Sequence, residues 1–190
     1  MSPLGFLKKE SSMKTEVSVP AAIDNVNESV PSVGATLHLV CGKIASGKST
    51  LTKRLAEEPN TVLLSEDELL GALYPGEIQS LADYVRCTNK LKSALQSIVR
   101  NILGAGTSVV LDFPANTIAS RNWMKTLLAN TTAAHCLHFL DVGDEECKRR
   151  LARRNEEANH QFQTSEEQFD QITRFFEPPS DDEGFTVKKG

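Results

Sequence analysis

From residue 35 onward, apolar and polar positions fall into short blocks whose period switches repeatedly between strand-like and helix-like. Leu37 to Cys41, interrupted by His38, is an apolar run of strand length, and Ser49 to Glu58 is compatible with a helix. Thr61-Val62-Leu63-Leu64 is a second run; Ser65, with Glu68 three residues on, makes a capping-box signature for a helix through Leu69, Leu70 and Leu73. Tyr74-Pro75-Gly76 breaks that helix. The longest helical pattern extends from about Glu77 to Leu103, where Leu91, Leu95, Ile98 and Ile102 recur by four and three residues and define one buried stripe. Gly104 and Gly106 lead into a buried strand, Ser108 to Asp112, that ends in a carboxylate. A helix follows over Thr117 to Ala129, a strand over Ala133 to Leu140, and a basic helix from Asp144 to about Glu157. After a loop around Asn159 to Gln163, Phe169, Ile172 and Phe176 share one face of a helix from Ser165 to Phe176, which Pro178 and Pro179 stop. Phe185-Thr186-Val187 is the last expected strand. Strands alternating with helices predict a three-layer α/β domain with a mostly parallel sheet of about five strands.

Length and charge narrow this picture. A chain of 190 residues suits one α/β domain with a substantial core plus a tail. Residues 1–34, with Ser, Asn, Glu, Pro20 and Pro31 and little periodicity, are expected to form a poorly ordered extension, and 35–190 the domain. No run approaches the roughly 18 to 20 apolar residues that span a bilayer, and Met1 to Lys14 lacks the uninterrupted apolar centre of a secretory signal. A cytoplasmic location and no membrane partner are therefore expected. Cys41, Cys87, Cys136 and Cys147 lie far apart and read as reduced core thiols. The four histidines share no ligand spacing, so no zinc site is expected; His38, His135 and His138 read as core or edge residues. A net charge of −4 weighs against a protein that coats nucleic acid, which needs a broad basic surface, and leaves room only for a small basic groove.

The chemistry is concentrated between the first strand and its helix. Gly42-Lys43-Ile44-Ala45-Ser46-Gly47-Lys48-Ser49, followed by Thr50, is a complete phosphate-binding loop in strand–loop–helix context, which predicts the P-loop NTPase fold. Glycines let the backbone approach phosphate oxygens, and the helix behind them points its positive end at the same group. Lys48 is expected to reach the β- and γ-phosphates of ATP, and the Ser49 hydroxyl to join a Mg²⁺ shell.

A phosphate-binding loop alone does not separate kinases, GTPases and ATPases. Asn89-Lys90-Leu91-Lys92 lacks the Asp of a guanine reader and lies inside a helix. Asp112 is followed by Phe113 and Pro114 rather than by a water-activating acid, which favours transfer to a bound acceptor over hydrolysis. Asp112 is the expected second metal partner. Asp67, just past the second strand, is placed to orient and deprotonate an acceptor hydroxyl, because carboxyl ends of parallel strands share one crevice with the loop. Glu66 and Glu68 beside it leave open a plain first-turn role for all three. In the run Lys148 to Arg154, Cys147 and Leu151 mark the inward stripe; Arg150 and Arg154 flank it and are candidates to clamp phosphate oxygens, whereas Arg149 and Arg153 point away. Arg121 could also face the crevice as a substrate contact, with packing an even alternative.

Together these blocks resemble the P-loop kinase group that includes zeta toxins, phage polynucleotide kinase and small bacterial AAA-family ATP-binding proteins. The resemblance runs from Thr36 to Val187, through Leu64 to Glu68, Val110 to Phe113 with Asn116 and Arg121, Cys147 to Asn155, Ser165 to Phe169 and Phe176 to Pro179. It implies a base at Asp67 and a lid helix bearing arginines; Arg154-Asn155 is similar to the polynucleotide kinase version. The segment Asp112-Phe113-Pro114-Ala115-Asn116 departs from that kinase's shorter form, so acceptor contacts do not transfer. The expected activity is transfer of the γ-phosphate of ATP to a hydroxyl of a small-molecule acceptor. A nucleotide switch or slow ATPase acting through a protein partner, and a polynucleotide 5′-end kinase, are the alternatives.

Overall fold

The computed structural model describes residues 34–156 and 164–190. The expected N-terminal extension, Gly34 apart, and the loop around Asn159 to Gln163 lie outside the described residues. Five strands, β1 (Thr36–Gly42), β2 (Thr61–Ser65), β3 (Ser108–Pro114), β4 (Ala134–Leu140) and β5 (Val187–Lys189), form one sheet in the order β2-β3-β1-β4-β5. Every neighbouring pair is parallel, as the alternation of strands and helices predicts. The helices are α1 (Lys48–Leu55), α2 (Glu66–Leu73), α3 (Leu81–Gly104), α4 (Ile118–Thr126), α5 (Asp144–Glu156) and α6 (Glu166–Thr173).

β1 is central because it is apolar on both faces: Leu37, Leu39, Val40 and Cys41 are all fully buried. Side chains alternate across a strand, so Leu37, Leu39 and Cys41 share one face with Val109, Leu111 and Phe113 of β3 and with Leu137 and Phe139 of β4. α3 and α4 cover that face through Cys87, Leu91, Leu95, Val99, Leu103 and Met124. Full burial of each Leu, Val or Phe in this layer stabilises the fold by about 1.5–3 kcal/mol. α1 packs against β1, β2 and β3, and Val40 and Val110 are buried on the alternate strand positions. A smaller cluster, Cys147, Leu151 and Phe169 with Ile44 and Ala45, joins α5 and α6 to the phosphate loop. Among the described residues, no helix is long and apolar enough to cross a membrane.

The expected stripe of α3 needs correction. Ile98 is 48% exposed, and the buried line passes instead through Leu91, Leu95, Val99 and Leu103, with Ile102 at its edge. α3 also begins at Leu81, capped by the Ser80 side chain on the Asp83 N–H, rather than near Glu77. α6 ends at Thr173 and leaves Ile172 more than half exposed, so only Phe169 of the expected face is fully inside. The last strand is displaced from Phe185–Val187 to Val187–Lys189, although the Thr186 carbonyl still accepts from the Leu137 N–H.

Where β1 and β3 run together their register jumps: Leu39 pairs with Leu111, but Val40 pairs with Pro114. Asp112 and Phe113 are thus left out of the pairing with β1, just before β1 gives way to the phosphate loop. β3 also continues two residues beyond the expected end at Asp112.

Candidate active site

Two glycines set the shape of the loop. A Cβ on Gly42 would stand 2.5 Å from Ser46 Oγ and 3.0 Å from the Leu140 carbonyl, so only glycine fits without moving backbone. Gly47, at φ 105°, is the N-cap of α1 and no side chain caps that helix end. Ala45 also holds a left-handed backbone, at φ 61°. A non-glycine residue there costs on the order of 1 kcal/mol or more, strain that concentrates where the loop must turn its N–H groups inward. Ser46 Oγ is buried with no hydrogen-bond partner. This uncapped helix start, cradle and orphan hydroxyl together fit a phosphate group.

Lys48 lies across the loop and donates to the carbonyls of Gly42 (2.7 Å) and Lys43 (2.8 Å). Burial pushes its ammonium below the usual lysine range, an effect opposed by the charge of Asp112. Asp112 shows the converse: burial raises its carboxyl, while hydrogen bonds from Thr52 and Ser49 and the charge of Lys48 pull it down. A carboxylate with two hydroxyls beside a phosphate cradle is the hard oxygen donor set that Mg²⁺ takes, and the exposed Ser49 is open to it. Asn116 completes the frame, its Oδ1 accepting the Gly42 N–H at 2.9 Å and its backbone carbonyl accepting the Glu177 N–H at 2.9 Å.

The loop opens into a cleft of about 1230 Å³ lined by Lys48, Ser49, Thr50, Asp67 and Asp112 on one side and by arginines of α5 on the other. Asp67 is exposed and lines this cleft. Its neighbour Glu66 is the residue that sequence reasoning undervalued. Glu66 is only 4% exposed and accepts a hydrogen bond from the Tyr84 hydroxyl at 3.2 Å. Burial pushes its carboxyl up, against the pull of Lys92 and of the Tyr84 bond. Beyond Glu66 lies a second, mostly apolar cavity of about 370 Å³, walled by Tyr84, Phe113, Ile172, Phe175 and Phe176. Ile44, Lys48, Glu66, Tyr84 and Pro114 line both cavities. No local pattern marks Glu66; only the arrival of Tyr84 from α3 makes it distinct from Glu68.

Arg150 donates to the Ser46 carbonyl at 3.1 Å and to Glu146 at 2.6 Å, which sets α5 against the loop. Arg154 lines the same cleft, and its Nε is buried without a hydrogen-bond partner. Arg149 and Arg153, expected to point away, line the cleft as well. The cleft is wide enough to reach round to the outer side of α5, where Arg149 pairs with Glu146 while 78% exposed.

Arg121 belongs elsewhere, and its reading as a substrate contact is corrected. It is fully buried and touches neither cavity wall. Nε and Nη2 bind the two carboxylate oxygens of Glu183 at 2.6 and 2.8 Å; Nη1 donates to the carbonyls of Ala115 and Glu177, and Nη2 also to Pro178. All five guanidinium donors are thus committed to the protein.

Comparison with known proteins agrees with this fold. A protein-family model described as an AAA domain matches residues 37–179. No curated protein matches the sequence. A kinase candidate from Chloroflexus aurantiacus is similar in structure, with a TM-score of 0.65 at 19% identity over 83% of this chain and 85% of that one. Kti12 of Chaetomium thermophilum in complex with ADP-AlF3 gives 0.57 at 19% identity over 80% and 88%. A sugar kinase from Janibacter sp. HTCC2649 gives 0.53 at 18% identity over 82% and 85%. At these identities the likeness carries the P-loop NTPase fold.

Proposed function

The chain belongs to the AAA-domain family, and we propose that it is an ATP- and Mg²⁺-dependent phosphotransferase acting on a hydroxyl of a small molecule. The observation that carries this reading is that the phosphate-loop cleft and the apolar cavity share walls at Lys48, Glu66 and Tyr84. A hydrolase needs only water at the phosphate, whereas a second, apolar cavity that shares walls with the phosphate cleft suits an organic acceptor. The apolar walls fit an acceptor with a hydrophobic face next to its hydroxyl.

In this reading the backbone of Gly42 to Thr50 and the Lys48 ammonium hold the triphosphate. Ser49 and Asp112 hold Mg²⁺, which when bound offsets charge on the phosphate oxygens. Asp67 orients the acceptor hydroxyl and takes its proton. Glu66, held by Tyr84, is a positioning residue in the wall between donor and acceptor. Arg154 and Arg150 neutralise charge that builds on the transferring group.

Lys48→Ala is expected to lose nucleotide affinity. Asp67→Asn is expected to bind ATP as the parent does and to lose transfer, followed as ATP consumption in the presence of a metabolite extract. Parental transfer by the Asp67 variant would remove Asp67 as the base. Rapid phosphate release from ATP and Mg²⁺ alone would overturn the transferase reading in favour of a switch or ATPase working through a protein partner. Tight, salt-sensitive binding of single-stranded oligonucleotide would favour a polynucleotide 5′-end kinase instead.

A further inference from the structure

Sequence spacing predicts no metal site, yet among the described residues the fold assembles one candidate away from the phosphate loop. β1 and β4 are adjacent and parallel, with His38 opposite Cys136 and Val40 opposite His138. The two-residue period of a strand puts Cys136 and His138 on one face, and the register brings His38 of β1 to the same place. His38 Nδ1 lies 3.1 Å from His138 Nε2. One ring nitrogen of each histidine and Cys136 Sγ all fall within 4.8 Å of one another. His38 and Cys136 are half-buried and His138 is 6% exposed, so the group is accessible from one side only. His38 precedes Gly42 by four residues, about 13 Å along an extended strand, so the group is separate from the phosphate cradle.

We propose that His38, Cys136 and His138 form a three-ligand site for a transition-metal ion of the zinc class, with the fourth position open to solvent. Metal–nitrogen distances of about 2.0–2.1 Å and a metal–sulfur distance of about 2.3 Å in tetrahedral geometry require ligand atoms roughly 3.3–3.6 Å apart. The histidine pair stands close to that separation, and the thiol needs only a side-chain adjustment. Two imidazoles and a thiol are a borderline-soft set that selects Zn²⁺ or Co²⁺ and rejects Mg²⁺ and Ca²⁺, which distinguishes this site from the one at Ser49 and Asp112. Binding releases the Cys136 thiol proton to solvent, shifts the proton between the facing ring nitrogens to the distal nitrogen of its own ring by tautomerisation, and replaces the ring contact by one metal bond from each histidine. Such an ion would clamp β1 to β4 just upstream of the phosphate loop. Lys188 of β5 pairs in register with His138 and its charge acts on all three groups, while Arg54 acts on His138 as well, so the site works against two nearby cations.

The full chain, expressed without a polyhistidine tag and stripped with chelator, is titrated with Co²⁺ as the probe. One ion per chain is expected, with tetrahedral visible bands and a thiolate-to-cobalt charge-transfer band, both erased by Zn²⁺. Cys136→Ala removes the charge-transfer band, and His38→Ala and His138→Ala each weaken binding at least about tenfold. His135→Ala and Cys87→Ala leave it unchanged. Lys188→Gln, on an exposed strand edge, is expected to tighten binding severalfold without touching a ligand. A featureless titration, a charge-transfer band that survives Cys136→Ala, or an affinity indifferent to His38→Ala and His138→Ala overturns the site, and would leave the ring contact as a hydrogen bond between strands.

Discussion

Arg121 on α4 and Arg154 on α5 are both arginines that sequence places near a phosphate crevice, and the structure uses them in opposite ways. Arg121 sits at 0% exposure with every donor bound to Glu183 or to backbone carbonyls of residues 115, 177 and 178. It ties the end of β3 and the start of α4 to the C-terminal segment. Arg154 lines the cleft and keeps a buried Nε without a partner. Arg150 lies between these extremes, partly committed to Ser46 and Glu146. An arginine with all its donors engaged builds the fold, whereas Arg154 keeps at least its buried Nε unpartnered. Proximity to a motif does not separate the two.

The comparison can be broken most directly at Arg121. Arg121→Met leaves Glu183 and three carbonyls without their donor and is expected to cost about 3–5 kcal/mol of stability, measured by urea unfolding. Arg154→Ala is expected to leave unfolding within about 0.5 kcal/mol and to lower kcat about 100-fold, roughly 2.7 kcal/mol of transition-state stabilisation. Equal loss of stability in both variants would erase the distinction. Arg150→Ala should fall between them, with a rate loss of about tenfold and a small drop in melting temperature, because its guanidinium also fixes the loop.

The smallest effect is a matter of pH. Hydrogen bonds from Arg121 hold the Glu183 carboxyl below the usual range, against burial, which raises it. A carboxylate depressed in the folded state contributes stability above its unfolded pKa, and that contribution is lost as pH falls through its folded value. The parent protein should therefore lose stability on acidification below the ordinary glutamate range more steeply than Arg121→Met, as followed by melting temperature against pH.

Much of the fold is legible because local rules and tertiary packing agree. Ser65 does cap α2, accepting from the Glu68 N–H at 3.4 Å, and the loop glycines fall where their backbone is required. Disagreement arises where two periodic readings are nearly equivalent. Ile98 and Val99 both extend the Leu91–Leu95 stripe, and only the direction in which α3 crosses the sheet selects Val99. The same limit governs the site. Gly42 to Thr50 is contiguous and can be read directly, but Glu66 gains its character from Tyr84, eighteen residues away. Arg121 is decided by Glu183, sixty-two residues away. Nor could spacing reveal His38 beside Cys136 and His138, since their meeting depends on β1 lying next to β4.

Asn116 gives the two halves of the site a shared joint. Its side chain holds the first N–H of the phosphate loop, its backbone holds Glu177, and it lines the apolar cavity beside Phe176. Under the proposed function, an acceptor in that cavity would touch the same residue that holds the backbone of the phosphate loop. Binding free energies linked in this way must be reciprocal: whatever an acceptor does to nucleotide affinity, the nucleotide does to acceptor affinity by the same factor. The coupling between the two ligands would then rest on one amide side chain, and Asn116→Ala is the variant expected to make each affinity independent of the other ligand.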